Sequence, residues 1–280
     1  MDERTTAPTA TETMLWGVDF SSAPSRRKPI TVARGRVQGA VLRVERVDEL
    51  PSLAAFEALL AEPGPWFGAF DFPFGLPRGF VDALALGGDL AQVVASLQAR
   101  CADRMAFRAL VDTWGNTRPP GQRLLHRRTD GALPGITSSS PLQTRYVPVG
   151  FMFFEGLPRL LAAGVHLPRL HAGDRRRVAV EGYPGLLAFE AIGRRSYKNR
   201  PDAERLIARK DLVDALEQGR TRLGLRLRLT HAMRESLVDD ASGDRLDAVL
   251  CLLQAAWAAA RPEGGLPAGV DPVEGWIATV

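Results

Sequence analysis

The chain has 280 residues, of which 45% are hydrophobic and 24% charged, a composition that supports a large buried core and an ordinary globular fold. Lys and Arg number 36 against 32 for Asp and Glu, a surplus too small to imply an anionic partner by itself. No apolar stretch is long and unbroken enough to span a bilayer, and the polar start has no apolar signal core, so the chain is read as soluble and cytoplasmic, with no membrane partner and a disordered tail over residues 1–13.

Residues 15–20 form a short apolar run, read as the first strand. Residues 30–37 and 40–47 alternate in polarity around the turn signal Gln38-Gly39, and with the first run they predict a three-stranded antiparallel meander. Leu53, Phe56, Leu59 and Leu60 follow Pro51-Ser52 at helical spacing, and residues 67–70 are too few for anything but a strand. A helix between two strands implies a parallel crossover, which sets Asp71 beside Asp19 if the strands are neighbours. Residues 89–111 are predicted as one long helix, whereas 112–148 are rich in Pro, Gly, Ser and Arg without periodicity.

Residues 152–163 read as a helix ended by Gly164, and 177–182 as a strand. Pro184 opens a helix to about Ile192, 201–218 form another, and Ser242-Gly243-Asp244 caps a strongly apolar helix to about Ala260. Residues 276–280 are expected to close the chain as a small strand. With no internal repeat, the expectation is one α/β domain over 14–280 with an insertion at about 87–170. Cys101 and Cys251 lie in apolar helical stretches and read as buried thiols.

Acidic residues punctuate the ends of these elements. Asp19 ends the first strand before a small-residue turn, at the rim where α/β sheets hold ligands, although Asp also commonly starts turns. Asp71 lies among Phe70, Phe72, Pro73 and Phe74, where a carboxylate rises in pKa, finds a cation or bonds to its own turn. Glu181 ends a third strand, its ordinary alternative being an ion pair with Arg175, Arg176 or Arg177. Asp244 and Asp247 share a helical face near the positive end of the helix dipole; capping accounts for Asp244 and a first-turn preference is the alternative for Asp247. Brought together, these acids suit a divalent cation better than a core, because uncompensated carboxylates repel one another and resist burial.

Basic residues fall in two irregular segments. Arg118, Arg123, His126, Arg127, Arg128 and Arg145 would suit an anionic backbone or simply solvate a loop. Lys198, in the cluster from Arg194 to Arg200, would neutralise a phosphate or likewise face solvent. Neither segment interleaves the aromatics of a base-stacking platform.

The ordering of Asp at the first strand end, an acid after the first crossover and Asp-x-x-Asp-Ala opening a late helix resembles the ribonuclease H-like fold, and the helix is similar to that of RuvC-type resolvases. More closely, Gly17-Val18-Asp19, Phe70-Asp71-Phe72-Pro73, Glu181-Gly182-Tyr183-Pro184, Tyr197-Lys198 and Gly243-Asp244-Arg245-Leu246-Asp247 resemble the DUF429 family, described as predicted nucleases of that fold, over most of the chain from about residue 14. The resemblance implies a mixed five-stranded sheet, three antiparallel strands then parallel crossovers, flanked by helices. Asp71 departs from the similar resolvases, which carry the longer Glu there.

The resemblance and the acids together lead to an expectation of metal-dependent phosphodiester hydrolysis of DNA or RNA. Asp19, Asp71, Asp244 and Asp247 would hold two Mg²⁺ or Mn²⁺ ions roughly 4 Å apart, with Asp19 bridging, Glu181 as an outer ligand or a group that orients water, and Lys198, Arg123, Arg127, Arg128 and Arg145 on the substrate. One competing reading is an actin-like nucleotide-binding phosphotransferase with Ser21 and Ser22 on the phosphates, disfavoured by the lack of a Walker-type motif. Another is a noncatalytic nucleic-acid-binding protein. A Ser/His/Asp hydrolase is disfavoured because there is no Gly-x-Ser-x-Gly elbow and His126, His166, His171 and His231 stand at no strand end.

Overall fold

The computed structural model describes residues 13–280, so all but the last residue of the expected tail lies outside the described residues. The meander forms as expected: β1 (Met14–Asp19), β2 (Ile30–Gln38) and β3 (Val41–Leu50) pair antiparallel in sequence order, with Gly39 at φ 59° in the β2–β3 turn. Ser52 caps α1 (Leu53–Leu60) by accepting the Ala55 N–H at 3.1 Å, and the chain returns as β4 (Trp66–Phe70), parallel to β1. Asp71 continues that ladder, its N–H donating to Val18 O at 2.8 Å.

Four helices follow before the chain rejoins the sheet: α2 (Arg78–Ala83), α3 (Leu90–Arg100), α4 (Arg104–Asn116) and α5 (Val149–Ala162). The single helix expected over 89–111 is thus two. Asp103 breaks it, accepting the N–H groups of Met105 and Ala106 at 2.8 Å each, because a short acidic side chain serves a helix start better than a helix interior. Cys101 therefore sits at the end of α3 rather than within a helix; both cysteines are buried thiols.

β5 (Val165–His166) and β6 (Asp174–Glu181) pair parallel with each other, and β6 pairs parallel with β4. Then come α6 (Pro184–Ile192), α7 (Ala203–Glu217), β7 (Arg226–Arg228), α8 (His231–Asp239) and α9 (Asp244–Ala259). The sheet has seven strands in the order β5-β6-β4-β1-β2-β3-β7, not five. The two additional strands are the short edges β5 and β7, too brief to carry a legible alternation, and β5 places His166 in a strand after all. The expected closing strand is a single parallel bridge from Ile277 to Glu181.

The sheet separates two layers. Trp16, Val18 and Phe70 point into a core with α1 and the helices α2 to α5, while Leu15, Ala33 and Val180 point to the other face, where α6 to α9 pack. The buried helix α9 lies directly on β1. A Cβ on Gly17 would stand 2.0 Å from Ala248 O and 2.1 Å from Leu252 N, so only glycine allows the approach. No helix among the described residues is long and apolar enough to cross a membrane.

Candidate metal centre

Register decides which acids meet. In the parallel set Val18, Phe70 and Glu181 are level with one another, so their side chains share a face, and Asp19 and Asp71, one residue further on, point to the opposite face. That opposite face carries α9. Its first turn delivers Asp247, and single carboxylate oxygens of Asp19, Asp71 and Asp247 all lie within 4.8 Å of one another. Asp19 and Asp71 stay partly open to a cavity of about 620 Å³, and Asp247 is buried.

The start of α9 is built differently from a simple aspartate cap. Gly243 is the N-cap, at φ 83°, and Asp244 is the first helical residue. The capping work falls to Asp240, whose carboxylate accepts the Arg245 N–H at 3.0 Å and the Ser242 N–H at 3.0 Å. Asp244 lines the same cavity but is not one of the three converging acids.

A Cβ on Gly243 would also meet Lys198 Cβ at 2.8 Å, so the loop bearing Tyr197 and Lys198 packs straight onto this turn. The Tyr197 hydroxyl donates to Asp247 Oδ1 and the Lys198 ammonium to Asp247 Oδ2. The loop is itself fastened by Arg209 on α7, a buried guanidinium that donates to Tyr197 O at 2.9 Å and Val238 O at 2.6 Å. Arg209 carries no motif, and its place in a helical pattern offers no signal that it supports a site.

The electrostatics are those of buried carboxylates crowded together. Burial, then the charges of Asp247, Asp71 and Asp244, hold the Asp19 carboxyl well above its usual range, with Lys198 opposing. Asp71 is pushed up to about 7 by burial and Asp247, again against Lys198. Burial and Asp247 likewise raise Asp244. Burial opposes the Lys198 charge, yet Asp247, Asp71 and Asp19 together raise its pKa. Three oxygen donors around one point, with a single ammonium among them, match the hard-ligand preference of a divalent cation, so the triad has the chemistry to hold a metal ion.

Glu181 and Arg127 line the same cavity, but Glu181 is not one of the three converging acids. On the opposite sheet face it accepts the Phe74 N–H at 2.8 Å and two hydrogen bonds from Arg127, at 2.7 and 2.6 Å. The partner is Arg127, not the neighbouring Arg175, Arg176 or Arg177 that the sequence offered. Burial raises the Glu181 carboxyl, and Arg127 with the Phe74 N–H pulls it back. Arg127, 3% exposed, also binds Asp130 at 2.8 Å, so it is engaged internally rather than free for a ligand.

The other expected substrate contacts separate as well. Lys198 lines the cavity, but Arg123, Arg128 and Arg145 do not. Arg145 is paired with Asp112 at 2.7 Å, and the Arg128 N–H donates to Glu274 at 3.1 Å. Arg118 lies over the Trp114 ring, 5.1 Å from its centroid.

A family model described as "Protein of unknown function (DUF429)" matches residues 17–270, a span that includes every acid of the cluster. No curated protein and no solved structure matches the chain.

Proposed function

The chain belongs to the DUF429 family, and from the geometry of its acidic centre we propose that it is a divalent-metal-dependent phosphodiester hydrolase acting on nucleic acid. The observation that carries the proposal is the convergence of Asp19, Asp71 and Asp247 from three distant segments, with Lys198 set against them. The central strand order β3-β2-β1-β4-β6, antiparallel then parallel, supports reading the fold as ribonuclease H-like.

Asp19, Asp71 and Asp247 would hold the metal, with Asp244 at the rim for a second ion. Mg²⁺ or Mn²⁺ bound there supplies Lewis acidity to the phosphodiester and lowers the pKa of water. Asp19, between Asp71 and Asp247 in its charge interactions, is the natural shared ligand. The Tyr197 hydroxyl orients Asp247, and the Lys198 ammonium offers a fixed positive charge for a non-bridging phosphoryl oxygen. Water attack at phosphorus breaks one P–O ester bond, leaving a phosphate monoester and a hydroxyl.

The test is cleavage of single-stranded, duplex and branched DNA and RNA by purified protein with Mg²⁺ or Mn²⁺. Cleavage that disappears in Asp19→Ala is expected. No cleavage of any form, or cleavage unchanged in Asp19→Ala, would overturn the proposal.

A further inference from the structure

Tyr146, 94% exposed, and Val147, 56% exposed, both line the cavity that contains Asp19, Asp71 and Asp247. The Tyr146 hydroxyl makes no hydrogen bond among the described residues, and its ring is open to solvent. The segment carrying it is nonetheless fastened. Arg145 pairs with Asp112 at 2.7 Å, Arg108 donates to Thr144 O, and the Val149 N–H donates to Val147 O at 2.8 Å. An aromatic face is thus presented to solvent on an anchored support, beside apolar cavity walls from Pro148 and Met152.

The β1–β2 connection carries Arg26, Arg27 and Lys28, all exposed and in no ion pair among the described residues. Lys28 lines the same cavity as Tyr146, and Arg26 and Arg27 line an adjoining one that shares Asp244 with it. Arg127 and Arg145 are in ion pairs, whereas these three side chains form none; Lys28 acts on the Asp244 carboxyl at longer range, and Arg26 and Arg27 share their cavity with Glu49, Asp239, Asp240 and Asp244.

We propose that Tyr146 stacks on an unpaired base next to the phosphodiester held at the acids, while Arg26, Arg27 and Lys28 follow the backbone, so that the substrate is a single-stranded polynucleotide. A base within a duplex offers no free face to a side chain, whereas in a single strand every base does. The position of the cleaved bond rests on the hydrolase reading; the binding mode does not.

Fluorescence anisotropy tests it with an Asp19→Asn/Asp71→Asn background, which removes the acids' repulsion and any cleavage, using a labelled DNA or RNA single strand and a duplex of the same sequence. Single strands are expected to bind at least about tenfold tighter than duplex. In that background Tyr146→Ala should weaken single-strand binding about tenfold, as loss of one stacked base does, and Tyr146→Phe should retain it. Replacing Arg26, Arg27 and Lys28 by Ala should flatten the dependence of log affinity on log salt. Duplex binding as tight as single-strand binding, or Tyr146→Ala within twofold of its parent with an unchanged Tm, would overturn the proposal. The two readings fail separately: Tyr146-dependent binding without cleavage by wild type sinks only the hydrolase, and equal cleavage of single strands and duplexes by wild type and Tyr146→Ala sinks only the stacking site.

Discussion

Glu181 accepts the backbone N–H of Phe74 at 2.8 Å, and by that bond it ties the end of β6 to the turn that carries Asp71. Its carboxylate also accepts two hydrogen bonds from Arg127, so it positions the turn through a buried charge pair. Glu181→Ala leaves the buried Arg127 with Asp130 as its remaining acid and the Phe74 N–H unpaired. A loss of about 3 kcal/mol in urea unfolding is expected, with Glu181→Gln costing less.

Gly17 sets how closely α9 approaches the sheet. Gly17→Ala places a methyl 2.0 Å from the Ala248 carbonyl, and backbone cannot step aside as a flexible side chain does. The expected cost is about 3 kcal/mol or more, read from thermal melting, with weaker Mn²⁺ binding in isothermal titration because Asp247 moves with the helix.

In the absence of a bound ion, the crowded acids are expected to destabilise the fold in a pH-dependent way. The Asp71 carboxyl titrates near 7 when folded and near its usual 3.8 when unfolded, so its contribution is fully present below about pH 4 and is lost as pH rises through 7. In EDTA, Asp71→Asn should melt at the same temperature as wild type at the acid end and several degrees higher above pH 7. Mn²⁺ should reverse the order above pH 7 by stabilising only the wild type. A melting difference independent of pH would refute the assignment.

On the proposed function, Lys198 competes with the metal for Asp247. Lys198→Ala removes the one ammonium at Asp247 and leaves the cluster more negative, so Mn²⁺ should bind about tenfold tighter while cleavage slows by about a hundredfold. Titration and rate measurements on the same preparation check both directions. Weaker metal binding would mean that Lys198 holds the site together.

Tyr197→Phe removes a buried hydrogen bond to Asp247 without changing volume. A stability loss of about 1 kcal/mol is expected, with a larger effect on metal affinity than on unfolding if orienting Asp247 is its main role. Equal free-energy changes in both would assign it to the core.

The amino-acid sequence by itself determined the central strands, the crossover that makes β1 and β4 neighbours, and the acids at their ends, because alternation, turn residues and helix starts are local properties of the chain. It also showed Asp247 at the head of an apolar helix. Tertiary structure alone decided how those acids divide. Asp19 and Asp71 face α9 while Glu181, one register step back, faces Arg127, a distinction that depends on how three parallel strands align across more than a hundred residues. Nor was it local that Asp240 caps α9, that Arg127 is buried while Lys28 is exposed, or that Tyr146 stands at the rim of the cavity. A charge in a sequence has a type and a position; whether it is paired, buried or offered to a ligand is settled only by what distant segments place beside it.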